Sequence, residues 1–308
     1  MKLRKIIYSA GALGLSMLML SACSTTAKDS SSSSSSSAKS SQTVKKTQKP
    51  GKKIAGASLK DGTYKLVEDS YDHGYKVEME MTVKNGKIKN TKYDQVNKDG
   101  KSKAKDSSYE KQMKKYAKIG PKEYISQINQ EWASNASADN PGNLSAISGA
   151  TNSSYTASNY AGQLTQAAQA GDTKTIHIAN KAKYHDGTYK LEEKNYSHGY
   201  RQVYTLVIKD HKIDKLTYDQ VDKNGKSKTK DAKYEKQMKK YAKVGPKEYI
   251  PKLMEEFAKS NGNMEKVQVV SGATESSNQF IAYVGQLLNA AQEGNARSIH
   301  VDNIVYKD

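Results

Sequence analysis

The stretch "YEKQMKKYAKIGPKEYI" occupies residues 109–125, and "YEKQMKKYAKVGPKEYI" occupies residues 234–250; the two differ only at Ile119 and Val244. Working outward from this pair, "DGTYKL" at 61–66 returns at 186–191, "HGY" at 73–75 returns at 198–200, and "YDQV" at 93–96 returns at 218–221. All of these share an offset of 125, whereas "SGAT" at 148–151 and 271–274, and His177 and His300, share an offset of 123. Two residues are therefore missing from the loop before the second SGAT. A repeat of this length is a duplicated domain and not a solenoid unit. The copies run over roughly 58–180 and 181–308, and a chain of 308 residues has room for about two domains.

Within a copy the pattern predicts an α+β fold with a mainly antiparallel sheet. "GTYKLVE" reads as a strand. In "YKVEMEMTV", 75–83, Tyr75, Val77, Met79, Met81 and Val83 alternate with polar residues at the period of a half-buried strand. "KNGK" supplies a hairpin turn, and "IKNTKYDQV" is the returning strand. Tyr109, Met113 and Tyr116 mark one face of a helix. Gly120 and Pro121 end that helix and start the next, with Pro at its first position. Ile125, Ile128 and Trp132 form the stripe of this second helix, as do Tyr249, Leu253 and Phe257 in the other copy. A polar loop, a short strand ("LSAIS" or "VQVVS") and the SGAT follow. A helix of about 17 residues comes next by periodicity, stopped by Gly171 or Gly294, and a last strand carries "TIHI" or "SIHV".

The N-terminus speaks to compartment. "MKLRK" is a basic segment, "IIYSAGALGLSMLML" an apolar one, and "LSAC" ends at Cys23, the single cysteine. That pattern predicts a secretory signal over 1–22. "LSAC" resembles the bacterial lipobox, which implies lipidation of Cys23 and stable anchoring in a lipid bilayer through more than one acyl chain. Residues 23–57, dominated by Ser and Lys, have too few large apolar residues for a core and predict a disordered, flexible tether. Lys and Arg outnumber Asp and Glu by 50 to 32, a formal charge of +18, so the surface attracts anions. Export removes nucleic acid from the candidate partners.

SGAT itself pairs a bulk-free turn with a Thr hydroxyl at the start of a helix. Free backbone N–H groups and the helix dipole favour a phosphate there, and small residues let a bulky group approach the backbone. Thr151 and Thr274 are then either helix N-caps or attachment points for a phosphorylated group.

With this placement late in a small α+β domain, SGAT resembles the motif of the FMN-binding domain family. The resemblance covers both repeats, and "YDQVDKNGKSKTKDAKYEKQM" is similar to the family's small lipid-anchored members. It implies that an FMN transferase links the FMN phosphate to the hydroxyls of Thr151 and Thr274. Ser148, Gly149, Ala150, Ser271, Gly272 and Ala273 complete the two motifs. It further implies an electron-transfer flavoprotein more than a stand-alone enzyme. Such a protein would sit on the outer face of the cytoplasmic membrane of a Gram-positive bacterium and reach into the cell wall. It would take electrons from a quinone- and NADH-dehydrogenase-linked donor in the membrane and pass them to extracellular acceptors such as ferric chelates. Where the family usually has an acidic residue three positions before the first Ser, this chain has Ser145 and Gln268. If only one site is loaded, Thr151 is expected to be it, because Glu275 follows Thr274 where Asn152 follows Thr151.

Other patterns are less specific. The paired His73/His198 and His177/His300 lack metal-ligand spacing, so no metal site is expected. "HGY" places Tyr75 and Tyr200 either against a flavin or simply in the core after a turn. "DQVDKNG" from Asp219 lacks a calcium loop's ligands and reads as a turn. The alternatives to electron transfer are a non-redox lipoprotein whose lysines bind cell-wall polyanions, and a precursor whose apolar leader is released as a pheromone peptide.

Overall fold

The computed structural model describes residues 52–307, apart from 138–141 and 143. The leader 1–22, Cys23 and most of the Ser/Lys-rich stretch lie outside the described residues.

In chain order, the first copy holds β1 (Lys53–Ala55), β2 (Gly62–Glu68), β3 (Lys76–Lys84) and β4 (Lys87–Val96), then a 3-10 turn at Lys103–Lys105. It continues with α1 (Ser107–Ala117), α2 (Pro121–Ser137), α3 (Thr151–Ala170) and β5 (Ile176–Ile178). The second copy repeats this plan as β6 (Gly187–Glu193), β7 (Arg201–Lys209), β8 (Lys212–Val221), a 3-10 turn at Lys228–Lys230 and α4 (Ala232–Ala242). It closes with α5 (Pro246–Ser260), α6 (Thr274–Glu293), β9 (Ile299–Val301) and β10 (Val305–Tyr306). The class is α+β, as expected from the pattern. Each copy has a four-stranded sheet, ordered β4-β3-β2-β5 and β8-β7-β6-β9. Three strands of each are antiparallel, and the last, β5 or β9, runs parallel to β2 or β6.

The alternation in β3 is realised residue by residue: Val77, Met79, Met81 and Val83 are buried. Met81 faces Tyr64 across β2, and Met79 faces Tyr93 across β4. The β3–β4 turn puts Asn85 and Gly86 at positive φ, and the Asp61 carboxylate accepts from both of their N–H groups at 2.9 Å. Helices α2 and α3 cover the apolar face. There Ile128, Trp132, Ala161 and Leu164 join Tyr64, Leu66 and Tyr93 in a single core, and Phe257 stands in the second copy where Trp132 stands in the first.

Three local expectations need correction. "LSAIS" and "VQVVS" are not strands; residues 144–147 and 267–270 are irregular. Leu144 and Val267 are buried, but the segments join neither sheet. The helices after SGAT are 20 residues long, because their polar first turns belong to them as well as the apolar stripe. Tyr116 does not complete an apolar face: it is 74% exposed, and Lys115 Nζ lies 5.6 Å from its ring centroid. Helix α1 has no buried residue, and Tyr109, Glu110, Met113 and Ala117 are half-buried.

The stretch read as a linker to residue 57 also ends sooner. β1 pairs antiparallel with β10, so the folded part includes Lys53–Ala55. The two copies pack through α3 and α6, where Tyr155 of α3 joins the second copy's apolar core and side-chain amides pair beside it. Asn159 Nδ2 donates to Asn289 Oδ1 at 3.0 Å, and Gln166 and Gln286 exchange amide hydrogen bonds at 3.0 and 2.9 Å.

Trp132 is fully buried, so Trp132→Ala removes transfer energy and leaves a cavity. A loss of about 3–5 kcal/mol is expected, read as a lower urea midpoint relative to wild type.

Two candidate cofactor cavities

The SGAT turn is fixed by three local devices, the same in both copies. Gly149 has φ 78° and Gly272 φ 81°, the left-handed region where a Cβ is strained. A Cβ at Gly149 would also run into the Ala117 carbonyl and stand 2.8 Å from Ile119 Cγ2; at Gly272 the obstacles are the Ala242 carbonyl and Val244 Cγ1 at 2.9 Å. Ser154 then ties the turn to its helix. Its Oγ accepts from the Ile147 N–H at 3.0 Å and donates to the Ala150 carbonyl at 3.0 Å. Ser277 does the same with Val270 and Ala273, at 3.0 and 2.8 Å.

The consequence falls on the Thr. The helix caps are Ala150 and Ala273, which carry no capping side chain, and Thr151 and Thr274 are the first helical residues. The capping role weighed for these threonines is therefore not theirs. Among the described residues neither hydroxyl has a hydrogen-bond partner. In the first copy the N–H groups of Thr151, Asn152 and Ser153 are likewise left open, as the first turn of any helix leaves them. The open donors, the positive helix end and the free hydroxyl thus belong to the same helix start.

Each Thr borders a cavity. The first, about 830 Å³, is lined by Gly149, Ala150 and Thr151; the second, about 360 Å³, by Gly272, Ala273 and Thr274. Both volumes lie within the about 300–1,000 Å³ usual for small-molecule sites. Ser148 and Ser271 are exposed and line neither cavity. His73, Tyr75, His198 and Tyr200 do line them, so the "HGY" tyrosines reach the candidate site. His177 and His300 lie elsewhere, paired with Asp69 at 2.8 Å and Glu192 at 3.0 Å. Among the described residues no group of three or more His, Cys, Asp or Glu is placed to hold a metal.

The fold brings four further pairs to the cavities that pattern reading did not single out: Lys103/Lys228, Glu68/Glu193, Gln95/Gln220 and Tyr124/Tyr249. Lys103 sits on the 3-10 turn, its Nζ 4.1 Å from the Tyr109 ring centroid and 5.2 Å from that of Tyr75. Lys228 repeats this at 4.2 Å from Tyr234 and 5.1 Å from Tyr200, and donates to Gln220 Oε1 at 2.8 Å. Burial pushes both ammonium groups down to about 8. The tyrosines are held in turn. Tyr75 and Tyr200 donate to Asp106 and Asp231 at 2.6 Å, and those carboxylates also cap α1 and α4.

Glu68 and Glu193 lie on the sheet side. Glu68 accepts from the Val77 N–H and the Tyr160 hydroxyl, both at 2.8 Å; Glu193 accepts from the Gln202 N–H at 2.9 Å and the Tyr283 hydroxyl at 3.0 Å. Burial raises both carboxyls, Glu193 to about 7. One signal in the sequence could have found these pairs: each is identical in both repeats, inside "GTYKLVE/GTYKLEE", "YDQV", the "KSK" that follows and "GPKEYI".

The two sites are not equal. The first cavity is also walled by Gly262–Glu265, Asn289 and Gln292 of the second copy, and the second by Asn303–Tyr306 near the chain's end. At Ser145, where the resemblance led to the expectation of an acidic residue, the Glu131 carboxylate accepts from the backbone N–H at 2.6 Å. Gln268 has no such partner and donates to the Lys266 carbonyl at 3.3 Å.

No family model matches the chain. Over 115 residues it is 30% identical to the 15 kDa lipoprotein of Treponema pallidum (strain Nichols), a match spanning 81% of that protein and 37% of this chain. The chain belongs to the family of that lipoprotein. In length the match corresponds to one repeat. The crystal structure of the CPE2226 protein from Clostridium perfringens is similar at 31% identity, over 39% of this chain and 97% of that one, with a TM-score of 0.36. No helix among the described residues is long and apolar enough to cross a membrane.

Glu193 gives a test of the cavity's electrostatics. Its carboxyl rises from the ordinary 4.5 to about 7 on folding, so the folded state binds the proton more tightly than the unfolded chain. Its contribution favours folding below the unfolded value and is lost as pH rises through the folded one. The full swing is about 3 kcal/mol at about 1.4 kcal/mol per unit. Glu193→Gln is expected to remove that swing, which urea unfolding at about pH 5 and about pH 8 would read as a gain for the variant at the higher pH only.

Proposed function

We propose that each repeat carries FMN joined through its phosphate to the hydroxyl of Thr151 or Thr274, making the chain a two-flavin electron carrier. The observation that carries this reading is the unspent Thr hydroxyl at an uncapped helix start, opening on a cavity with a buried ammonium, twice over. A hydroxyl occupied in capping would be a poor acceptor; here Ser154 and Ser277 hold the turn instead, and the Thr is left free. The first-turn N–H groups would receive phosphate oxygens. The tyrosines around Lys103 and Lys228 would border the ring system. FMN, when bound, supplies the redox chemistry, while the protein fixes it and keeps it from being lost outside the cell.

Attachment would be the work of an FMN transferase, and lipidation of Cys23 would hold the chain at the outer face of a Gram-positive cytoplasmic membrane. Membership in a lipoprotein family supports that placement. A quinone- or NADH-dehydrogenase-linked donor would deliver electrons, and extracellular anions such as ferric chelates would accept them, drawn by the basic surface. The first copy is the better substrate for the transferase, since it has Asn152 after the Thr and Glu131 at Ser145.

Intact mass of the mature protein, from a host that possesses the transferase, is expected to show two FMN additions. Thr151→Ala and Thr274→Ala should each remove one. Colourless protein of unmodified mass from such a host would sink the flavin reading and favour a non-redox binder of wall polyanions.

A further inference from the structure

Building on the flavin reading, we infer that Lys103 and Lys228 are the side chains that favour the reduced, more negative ring in each cavity and so raise its midpoint potential. They are the two buried Lys or Arg residues among the described residues, 8% and 6% exposed. Each leaves a 3-10 turn fixed at both ends. Ser102 or Ser227 caps its start, and Asp106 or Asp231 bonds back to it before capping the next helix. The backbone that carries each lysine is thus held at both ends, and burial against the tyrosine rings restrains its side chain.

Among the described residues no carboxylate stands within ion-pair distance of either ammonium. The Lys103 cation is met by the faces of Tyr75 and Tyr109, and Lys228 by Tyr200, Tyr234 and the Gln220 amide oxygen. Burying a cation without a counter-ion costs several kcal/mol even after relaxation. The same cost is carried twice at the same place, and an anion in the cavity offsets it. In the second cavity Lys228 is the sole Lys or Arg of the lining, where Glu193 and Glu275 are the acids. The first adds Lys76 and Lys181, already paired with Glu78 at 3.6 Å and Asp72 at 2.8 Å.

Two electrons from a donor, with one proton taken up from water, leave the ring system one negative charge richer. A cation nearby in a low-dielectric cavity favours that state over the oxidised one. The effect needs the charged amine, which is present below about 8 and lost above it. Groups facing Lys103 are Asp72, Asp106, Tyr75 and Tyr109, with Glu68, His73 and Glu265 of the second copy in the same lining; those facing Lys228 are Glu193, Glu275, Asp231, Tyr200 and Tyr234, with His198.

Single-flavin proteins isolate each site: Lys228→Met in a Thr151→Ala background, and Lys103→Met in a Thr274→Ala background. Dithionite titration at about pH 7 is expected to show the reduced-to-oxidised equilibrium falling at least tenfold, a midpoint lower by about 30 mV for a two-electron couple. The gap from the matched parent should close as pH rises past the lysine's titration. Lys228→Arg should keep the potential and lose that pH dependence. In the flavin-free wild type, NMR of methylated lysines should show one amine per repeat titrating near about 8, absent from the matching Met variant. Protein that carries the FMN mass but shows an unchanged potential in the Met variants, or an apoprotein in which both lysines titrate as exposed amines, overturns this inference alone. Absence of the FMN mass from wild type overturns both this and the reading beneath it.

Discussion

The contact of Gly149 with the Ala117 carbonyl, and of Gly272 with Ala242, is the constraint on which the rest of each site depends. A backbone carbonyl at the end of α1 or α4 presses on a residue that can have no side chain. That approach joins the helix bearing the Thr to the helix bearing Tyr109 or Tyr234. Because α1 buries nothing of its own, it would otherwise be poorly held. The glycine contact at one end and the Asp106 cap at the other give it a fixed place, and the cavity is the space left beneath it.

That space is polar where an ordinary core would be closed. Along the sheet, Leu66, Met79 and Met81 meet α2 and α3 in dense apolar packing. At the neighbouring positions Glu68, Gln95 and Lys103 replace hydrophobes, each with its hydrogen bonds or ring contacts arranged. Buried polar groups are tolerated when satisfied and are costly otherwise. Keeping a carboxyl and an ammonium in the same cavity, in both repeats, is a stability cost that a pure scaffold would have no reason to carry twice.

How much of this could be read from the sequence follows from the range of the interactions. The duplication, the alternating strand over 75–83, Pro121 at a helix start and the stripes of the longer helices are local signals, and they translate directly into structure. SGAT was legible as a turn before a helix for the same reason. What could not be read is long-range or depends on a single hydrogen bond. Whether Thr151 capped its own helix was decided by Ser154, three residues further on, which takes over the task of holding the turn. Lys103 is one lysine among many until the 3-10 turn places it between two rings. "LSAIS" has the composition of a strand, yet it pairs with no strand of either sheet. Tyr116 keeps the helical period but comes where the helix faces solvent.

The repeats are also less independent than their sequence identity suggests. The second copy lends Gly262–Glu265, Asn289 and Gln292 to the first cavity, so that cavity is complete only in the tandem. In the other direction, β1 at the start of the first copy pairs with β10 at the end of the second. β10 and the residues before it wall the second cavity, and Gln169 of α3 helps hold them by donating to the Asp302 carbonyl at 2.8 Å. The second repeat therefore supplies part of the first cavity's wall, and the first repeat only braces residues next to the second cavity, while the Thr, the lysine and the buried glutamate of each site come from its own copy. Duplication has preserved the chemical groups and altered the enclosure. The two cavities share one set of chemical groups but differ in volume and in field, the volume through the wall that the second copy adds to the first and the field through Asn152 beside one Thr and Glu275 beside the other.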